Sequence, residues 1–435
     1  MTFKDGSAEA DSRGMRVLST GRVCWHLGRR REAPAISNLQ GRKLVAIAEH
    51  AVMTVPFWRA RFAAAGLSAG DIRSLEDLTK IPIVGKAELM AAEPHALLSS
   101  EYPKDELREE KTSGTTGRPF TVHVDPEFVA TRDALFLRAL RVAGYQPWQR
   151  LMLVSTPRRR RALLRRWHYA SMNDDPERLL DDLNRFRPAV LYGAVTPLVR
   201  LALLFRASGR TAHRPRAVVT TAEALSPSAR RALRDAFSTD PHDVYGLIET
   251  GMIAWECERH SGYHVSEETA IVELLPTESG GEERRVVVTN LALRSMPLLR
   301  FDTGDLAVPG SGEPCACGRG RIRLARVEGR AADCVTRIDG RKISPYRLTL
   351  ALERIEGIER YQVVQEGLEE FRIRVEARNS GETLETRVRH AVLDVVGRTA
   401  RVTVQFENRI EAPTGTKFRI VDSRVRRPEA AVPQR

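Results

Sequence analysis

Apolar positions recur along the chain with two different periods, and the switches between them outline the fold. Over residues 38–70, Leu44, Ile47, Ala48, Ala51 and Val52 fall at helical spacing, which predicts a helix with one buried face. The stretch IPIVGKAELMAAEPHALL (81–98) reads as a short extended piece and then a helix. Glu109 to Val124 reads as strand, polar loop, strand, and residues 126–142 form an amphipathic helix carrying Phe128, Ala130, Leu135, Leu137 and Leu140. The pattern then alternates. LMLVS (151–155) is a buried-strand candidate, 176–186 a helix, AVLYG (189–193) a strand and 196–208 a helix. AVVTTAE (217–223) reads as strand and turn, followed by a helix over 226–237 capped by Ser226. Strands alternating with helices predict α/β layers around a largely parallel sheet.

From about residue 265 to 310 the pattern turns β-rich, with TAIVELL, RRVVVTN and PLLRFDTGDLA. Beyond about 334 it changes again: helix (345–355), strand (361–367), strand (371–378), helix (383–396) and strand (400–407). This order predicts a small α+β domain with its own core. The expected fold is therefore α/β, with a large multi-layer N-terminal domain over 1–332 and a small C-terminal domain over 333–435. RAADCVTRIDG (330–340) is the expected hinge. A chain of 435 residues is long enough for two or three domains.

Charge adds little to this picture. The formal net charge of +13 admits contact with nucleic acid or a membrane surface, but Arg and Ala are spread throughout the chain. A basic protein also attracts anionic ligands such as nucleotides. Nothing approaches the roughly 18 consecutive apolar residues of a membrane helix. The first residues, MTFKDGSAEADSRGM, lack the apolar core of a signal peptide. A cytoplasmic location is expected. In that reducing setting the five cysteines favour metal binding over a disulfide, above all the Cys315-Ala-Cys317 pair.

Five segments carry candidate chemistry. The loop from Lys111 through Thr112, Ser113, Gly114, Thr115, Thr116 and Gly117 to Pro119 offers backbone N–H and hydroxyl donors to phosphate, although it is not a Walker A loop. The Asp243–Thr250 segment places an aromatic, Tyr245, before Gly246 and a carboxylate, Glu249; the first suits a flat base and the last a Mg²⁺ ion. In Leu299–Leu306, Asp305 follows a Thr-Gly turn and suits bidentate bonding to ribose hydroxyls. Arg330 and Asp333 lie in the fourth segment, and Lys417, in a loop after Gly415, in the fifth. Taken singly, each also reads as an ordinary turn or surface residue.

Their order is more specific. SGTTGRP, YGLIE, RFDTGD, GRAAD and TGTK, in that sequence, closely resemble the adenylate-forming superfamily of acyl- and aryl-CoA ligases over about residues 80–425. RALRVAGYQPWQR (138–150), RFRPAVLYG (185–193) and CACGRGRIRLARVEGRAADCV (315–335) resemble the phenylacetate–CoA ligase family and its capsule-biosynthesis-type relatives.

The resemblance implies residue roles. Ser113, Gly114, Thr115, Thr116 and Gly117 would form the phosphate loop, with Thr116 also catalytic. Tyr245 would stack on adenine with Gly246 also in the cofactor site, Glu249 would coordinate Mg²⁺, and Asp305 would bind the ribose with Arg330 near it. Asp333 would be the hinge, and Lys417 would bridge the carboxylate and the α-phosphate. ATP or AMP, Mg²⁺ and CoA are the implied ligands, and a small carboxylic acid is the implied substrate. The acceptor in place of CoA could be a carrier-protein thiol, an amine or a sugar. A homodimer is a candidate assembly.

Cys257, Cys315 and Cys317 with one histidine make a tetrahedral set of the kind that holds structural Zn²⁺. His260 and His264 both qualify; relatives with a His seven residues after the Cys favour His264. Two departures from the family pattern stand out. The segment 155–185 is short and carries arginines at 158–161, and TTAEA (220–224), with Glu223 as a candidate ligand-site residue, replaces a Gly-Ala-Glu-Pro-like turn. Both border the region expected to hold the acid. A zinc-stapled nucleic-acid-binding protein is the competing reading, but aromatics are scarce among the basic residues.

Overall fold

The computed structural model describes residues 33–112, 119–155, 166–209, 213–277, 281–320, 323–377, 379–408, 410 and 419–425. The expectations placed on residues 113–117, on the arginines at 158–161 and on Lys417 lie outside them.

The N-terminal helical stretch is two helices, α1 (Ala33–Thr54) and α2 (Pro56–Ala64). Proline at the first position of α2 lacks the N–H that would continue α1, so the single predicted helix breaks at Val55. Leu44, Ile47, Ala48, Ala51, Trp58 and Phe62 are buried against Leu298, Leu299 and Phe301. Each large side chain so buried contributes roughly 2 kcal/mol before entropy is counted. The Trp58 indole also donates to the Pro297 carbonyl at 2.8 Å. β1 (Val84–Gly85) and α3 (Lys86–Ala91) follow, then the hairpin of β2 (Arg108–Lys111) and β3 (Thr121–Val124).

Next come α4 (Pro126–Val142), β4 (Leu151–Ser155), β5 (Trp167–Ser171), α5 (Pro176–Phe186), β6 (Val190–Ala194), α6 (Val195–Ala207), β7 (Ala217–Thr221) and α7 (Pro227–Phe237). Asp125, Asp175 and Ser226 accept backbone N–H bonds at the starts of α4, α5 and α7, each with Pro at the first turn. β8 (His242–Leu247), β9 (Gly251–Glu256), β10 (Tyr263–Val265), β11 (Ala270–Pro276), β12 (Arg284–Asn290), β13 (Phe301–Pro309) and β14 (Leu324–Arg330) complete the large sheet, in the order β11-β12-β13-β14-β10-β9-β8-β7-β6-β4-β5, with β1 beside β13.

The expectation of a largely parallel sheet needs correction. β5, β4, β6, β7 and β8 are parallel, but every pairing along the path from β8 to β11 is antiparallel. The physical reason is connection length: helices provide the crossovers in the first half, whereas short turns such as 248–250 force the chain straight back. β5, β9, β10 and β14 also lie where periodicity did not single out strands.

The C-terminal part holds β15 (Val335–Thr336), β16 (Lys342–Ile343), α8 (Pro345–Glu353), β17 (Ile358–Gly367), β18 (Glu370–Ala377), α9 (Glu382–Val396), β19 (Arg401–Phe406) and β20 (Val421–Ser423). Its four-stranded sheet runs β19-β18-β17-β20. A separate core from Val335 to Val421 packs between this sheet and the two helices. It meets the large sheet's layer through α8: Glu353 accepts the Ser228 N–H at 3.1 Å at the start of α7, and Arg326 lies over the Tyr346 ring at 5.5 Å. No helix among the described residues is long and apolar enough to cross a membrane.

Candidate active site and metal centre

The β2–β3 hairpin is the stem of the candidate phosphate loop. The Thr112 N–H donates to the Phe120 carbonyl at 2.9 Å, and the Phe120 N–H donates to Thr112 Oγ1 at 3.1 Å. β8 ends in the Tyr245–Thr250 segment, and here glycine is demanded by close approach: a Cβ on Gly246 would sit 2.5 Å from the Gly251 carbonyl oxygen on the returning strand. Asn290 steadies this turn by donating to the Thr250 carbonyl at 3.0 Å, a contribution that no local pattern signals.

β13 carries a bulge. Its neighbour steps from Arg285 to Val287 while β13 steps from Leu306 to Asp302, and Gly304 takes φ of 73° within the extra residues. Asp305 stands directly across from Arg330 on β14, with 3.5 Å between Oδ1 and Nε. The Tyr245 hydroxyl donates to Asp305 Oδ2 at 2.8 Å, so the candidate adenine and ribose residues, sixty apart in sequence, meet directly. Asp305 is 5% exposed; burial pushes its pKa up to about 6 against the opposing pull of Arg330 and the tyrosine. Burial, reinforced by Asp305, also holds the Tyr245 phenol well above its ordinary range, so it remains a donor.

Glu249 is buried and forms a 2.8 Å ion pair with Lys86, a residue that pattern reading passed over because a lone lysine has no local signature. Glu223 has a structural partner: it accepts the Thr196 N–H at 2.7 Å in the first turn of α6, where a negative charge is favoured. Its neighbour Ala222 has φ of 68°, uncommon for a residue with a Cβ. Asp333 lies 3.7 Å from Arg419, and burial raises its pKa.

Beneath the Tyr245 strand runs a buried polar network. Asp243 accepts from Thr220 Oγ1 at 2.5 Å and from the Tyr263 hydroxyl at 2.6 Å. Its own N–H donates to Glu256, which is clasped by Arg230 at 2.7 and 2.8 Å. Burial, and then the charge of Glu256, push Asp243 up to about 7.

On the far side of that network, Cys257, His264, Cys315 and Cys317 converge, with one ligand atom from each lying within 4.8 Å of the others. The Cys257 and Cys315 sulfurs are 3.8 Å apart, and Cys317 Sγ is 3.3 Å from His264 Nε2. Tetrahedral Zn²⁺ with Zn–S bonds near 2.3 Å places two sulfurs about 3.8 Å apart, so the donor set fits that ion. The Arg259 and Arg319 N–H groups point at Cys257 and Cys317 sulfur at 3.4 and 3.3 Å, as suits thiolate. Trp255 stacks on the His264 ring at 5.0 Å. His260 is engaged elsewhere, within 3.4 Å of Glu256 and against the His242 ring, so His264 is the histidine at the thiols.

A large mixed sheet that gathers Tyr245, Asp305 and Arg330 on β8, β13 and β14, followed by a small α+β unit, is a fold shared with adenylate-forming ligases. The chain is similar in sequence to the phenylacetate–coenzyme A ligases and similar in fold to adenylate-forming ligases. It is 27% identical over 440 residues to the phenylacetate–coenzyme A ligase of Thermus thermophilus, with 88% of this chain and 95% of that protein aligned. Residues 335–424 match the CapK C-terminal domain. The fold superposes on crystal structures of 2-hydroxyisobutyryl-CoA ligase. The TM-score is 0.76 to its postadenylation state with 2-HIB-AMP (21% identity, 91% of each chain) and 0.62 to its thioesterification state with 2-HIB-AMP and CoA (22% identity, 91% of each chain).

Proposed function

We propose that the protein activates a small carboxylic acid with ATP to its acyl-AMP and then passes the acyl group to the thiol of CoA. The observation that carries this reading is the convergence of separated motifs: Tyr245 bonds Asp305, Asp305 faces Arg330, and Glu249 is tied through Lys86 to Thr112 at the loop stem. In the first step a carboxylate oxygen bonds to the α-phosphorus as the bond to pyrophosphate breaks. Two anions meet there, and a barrier set by charge is lowered by fixed cations and dipoles. Tyr245 would stack on adenine, and Asp305 with Arg330 would fix the ribose. Glu249 would hold Mg²⁺, which neutralises phosphate charge when bound. Lys417 would supply the cation between the two reacting groups. In the second step the thiolate adds to the acyl carbonyl and AMP leaves.

Asp333 is the proposed pivot and 332/333 the proposed domain division; turning there would withdraw Lys417 and admit the thiol. The acid itself is a small aryl or short acyl group. Phe136 meets Tyr192 and Trp167 edge-on at 5.0 and 6.0 Å, with the Trp167 indole donating to Tyr145, which gives a partly buried aromatic cluster beside β6. Zn²⁺ on Cys257, His264, Cys315 and Cys317 is structural in this reading, because a closed set leaves no open coordination position.

The test is ATP–pyrophosphate exchange across aryl and aliphatic acids with Lys417→Ala alongside. Exchange with some acid, lost by at least about a hundredfold in the variant, is the expected result. No exchange with any acid, or a variant equal to the parent, overturns the mechanism. Product analysis with CoA against hydroxylamine and amines then decides the acceptor.

A further inference from the structure

We propose that Lys86 is a second cation of the nucleotide site, held in the large domain and directed at the β- and γ-phosphate end of ATP. The proposal rests on the ligase reading and adds to it a residue from outside the five motif segments.

Three observations place it there. The Lys86 ammonium donates to Glu249 Oε1 at 2.8 Å and to Thr112 Oγ1 at 3.0 Å, so one side chain joins the candidate Mg²⁺ carboxylate to the last described residue before the candidate phosphate loop. Its backbone is fixed by β1, which pairs in parallel with β13 at Val84–Phe301 and Gly85–Asp302, on the strand that carries Asp305. An ammonium has three N–H donors; two are used in hydrogen bonds, and the third has no hydrogen-bond acceptor among the described residues, the ammonium lying 5.8 Å from the centroid of the Phe120 ring.

A purely structural account is incomplete. Glu249, 4% exposed, does need a counter-charge, and Lys86 supplies one. An arginine, or a lysine reaching only the carboxylate, would serve that end equally well. Bridging to the loop stem while keeping one donor uncommitted is instead what a phosphate-binding lysine requires, since it meets the phosphate as a point charge.

The placement also separates the duties of two lysines. In sequence Lys417 belongs to the C-terminal part, between β19 and β20, whereas Lys86 directly follows β1 in the sheet that holds Asp305. Lys86 therefore remains at the phosphates whatever the position of the small domain. Its natural charge is the pyrophosphate moiety, leaving the reacting carboxylate to Lys417.

The experiment is calorimetric titration of the full chain with MgATP and, separately, with AMP, which lacks the β- and γ-phosphates. Lys86→Met is expected to raise the Kd for MgATP about tenfold or more, as loss of a charge-assisted bond does, and that for AMP less than about threefold. Lys86→Arg, which keeps the charge but not its compact placement, is expected to weaken MgATP less than Lys86→Met does and to leave AMP within about threefold. Lys86→Gln, which keeps a donor to Glu249, goes through the same titrations in case the Met variant does not fold. A variant that binds MgATP like the parent overturns the proposal and leaves Lys86 as the counter-ion of Glu249 alone. Equal weakening of MgATP and AMP overturns it too. A parent with no affinity for ATP removes the ligase reading itself, and this proposal with it.

Discussion

Replacing Asp305 by Asn distinguishes a carboxylate kept for a ligand from one kept for the fold. Burial moves its pKa from 3.8 to about 6, although Arg330 and Tyr245 favour the charged form. That rise corresponds to a penalty of roughly 3 kcal/mol for holding the anion in the folded, ligand-free protein at neutral pH. Asn keeps the shape and still accepts from the Tyr245 hydroxyl. The attractions of Arg330 and of the Tyr245 hydroxyl for the anion are already contained in that net rise. The variant should therefore be as stable as the parent, or more stable by up to about 3 kcal/mol, while losing the anionic acceptor for ribose.

The sign with pH follows from a raised folded-state pKa. The native protein binds the extra proton between 3.8 and about 6, so the penalty is small below that window and complete above it. At pH 5 roughly half of it remains, and the advantage of the variant should shrink accordingly. Thermal melting at pH 5 and 7.5, with calorimetric titration of AMP at pH 7.5, checks both halves. A variant that melts lower at pH 7.5 while keeping its AMP affinity would refute the reasoning, because the carboxylate would then be a structural acceptor.

Two further outcomes are expected. Purified protein should carry about one zinc per chain, and Cys315→Ser should reduce this below about 0.3 and lower the melting temperature; a parent that is metal-free as purified counts against the site. Glu353→Gln removes the negative charge at the start of α7, worth about 0.3–1 kcal/mol, and should speed limited proteolysis across 331–336 about two- to fivefold. An unchanged cleavage rate would mean that this contact does not hold the small domain in place.

What the sequence alone determined is local. Helices such as α4, α5 and α7 announced themselves through 3.6-residue periodicity and Asp-Pro or Ser-Pro starts, because caps and apolar stripes act within a few residues. The order of five loops was equally legible, since each depends on its own residue types, and it carried the resemblance to the adenylate-forming ligases. Strands β9, β10 and β14 were not legible: they are short or mixed in pattern, and their partners are fixed by turns and neighbouring strands rather than by their own composition. The tertiary structure decided what depends on distant pairing. It brought Lys86 to Glu249 across 163 positions, set Tyr245 on Asp305, and turned His264 rather than His260 toward the thiols. Each of these contacts joins residues whose local spacing carries no trace of the partner, because burial and strand register, summed over the whole sheet, choose which polar groups must satisfy one another.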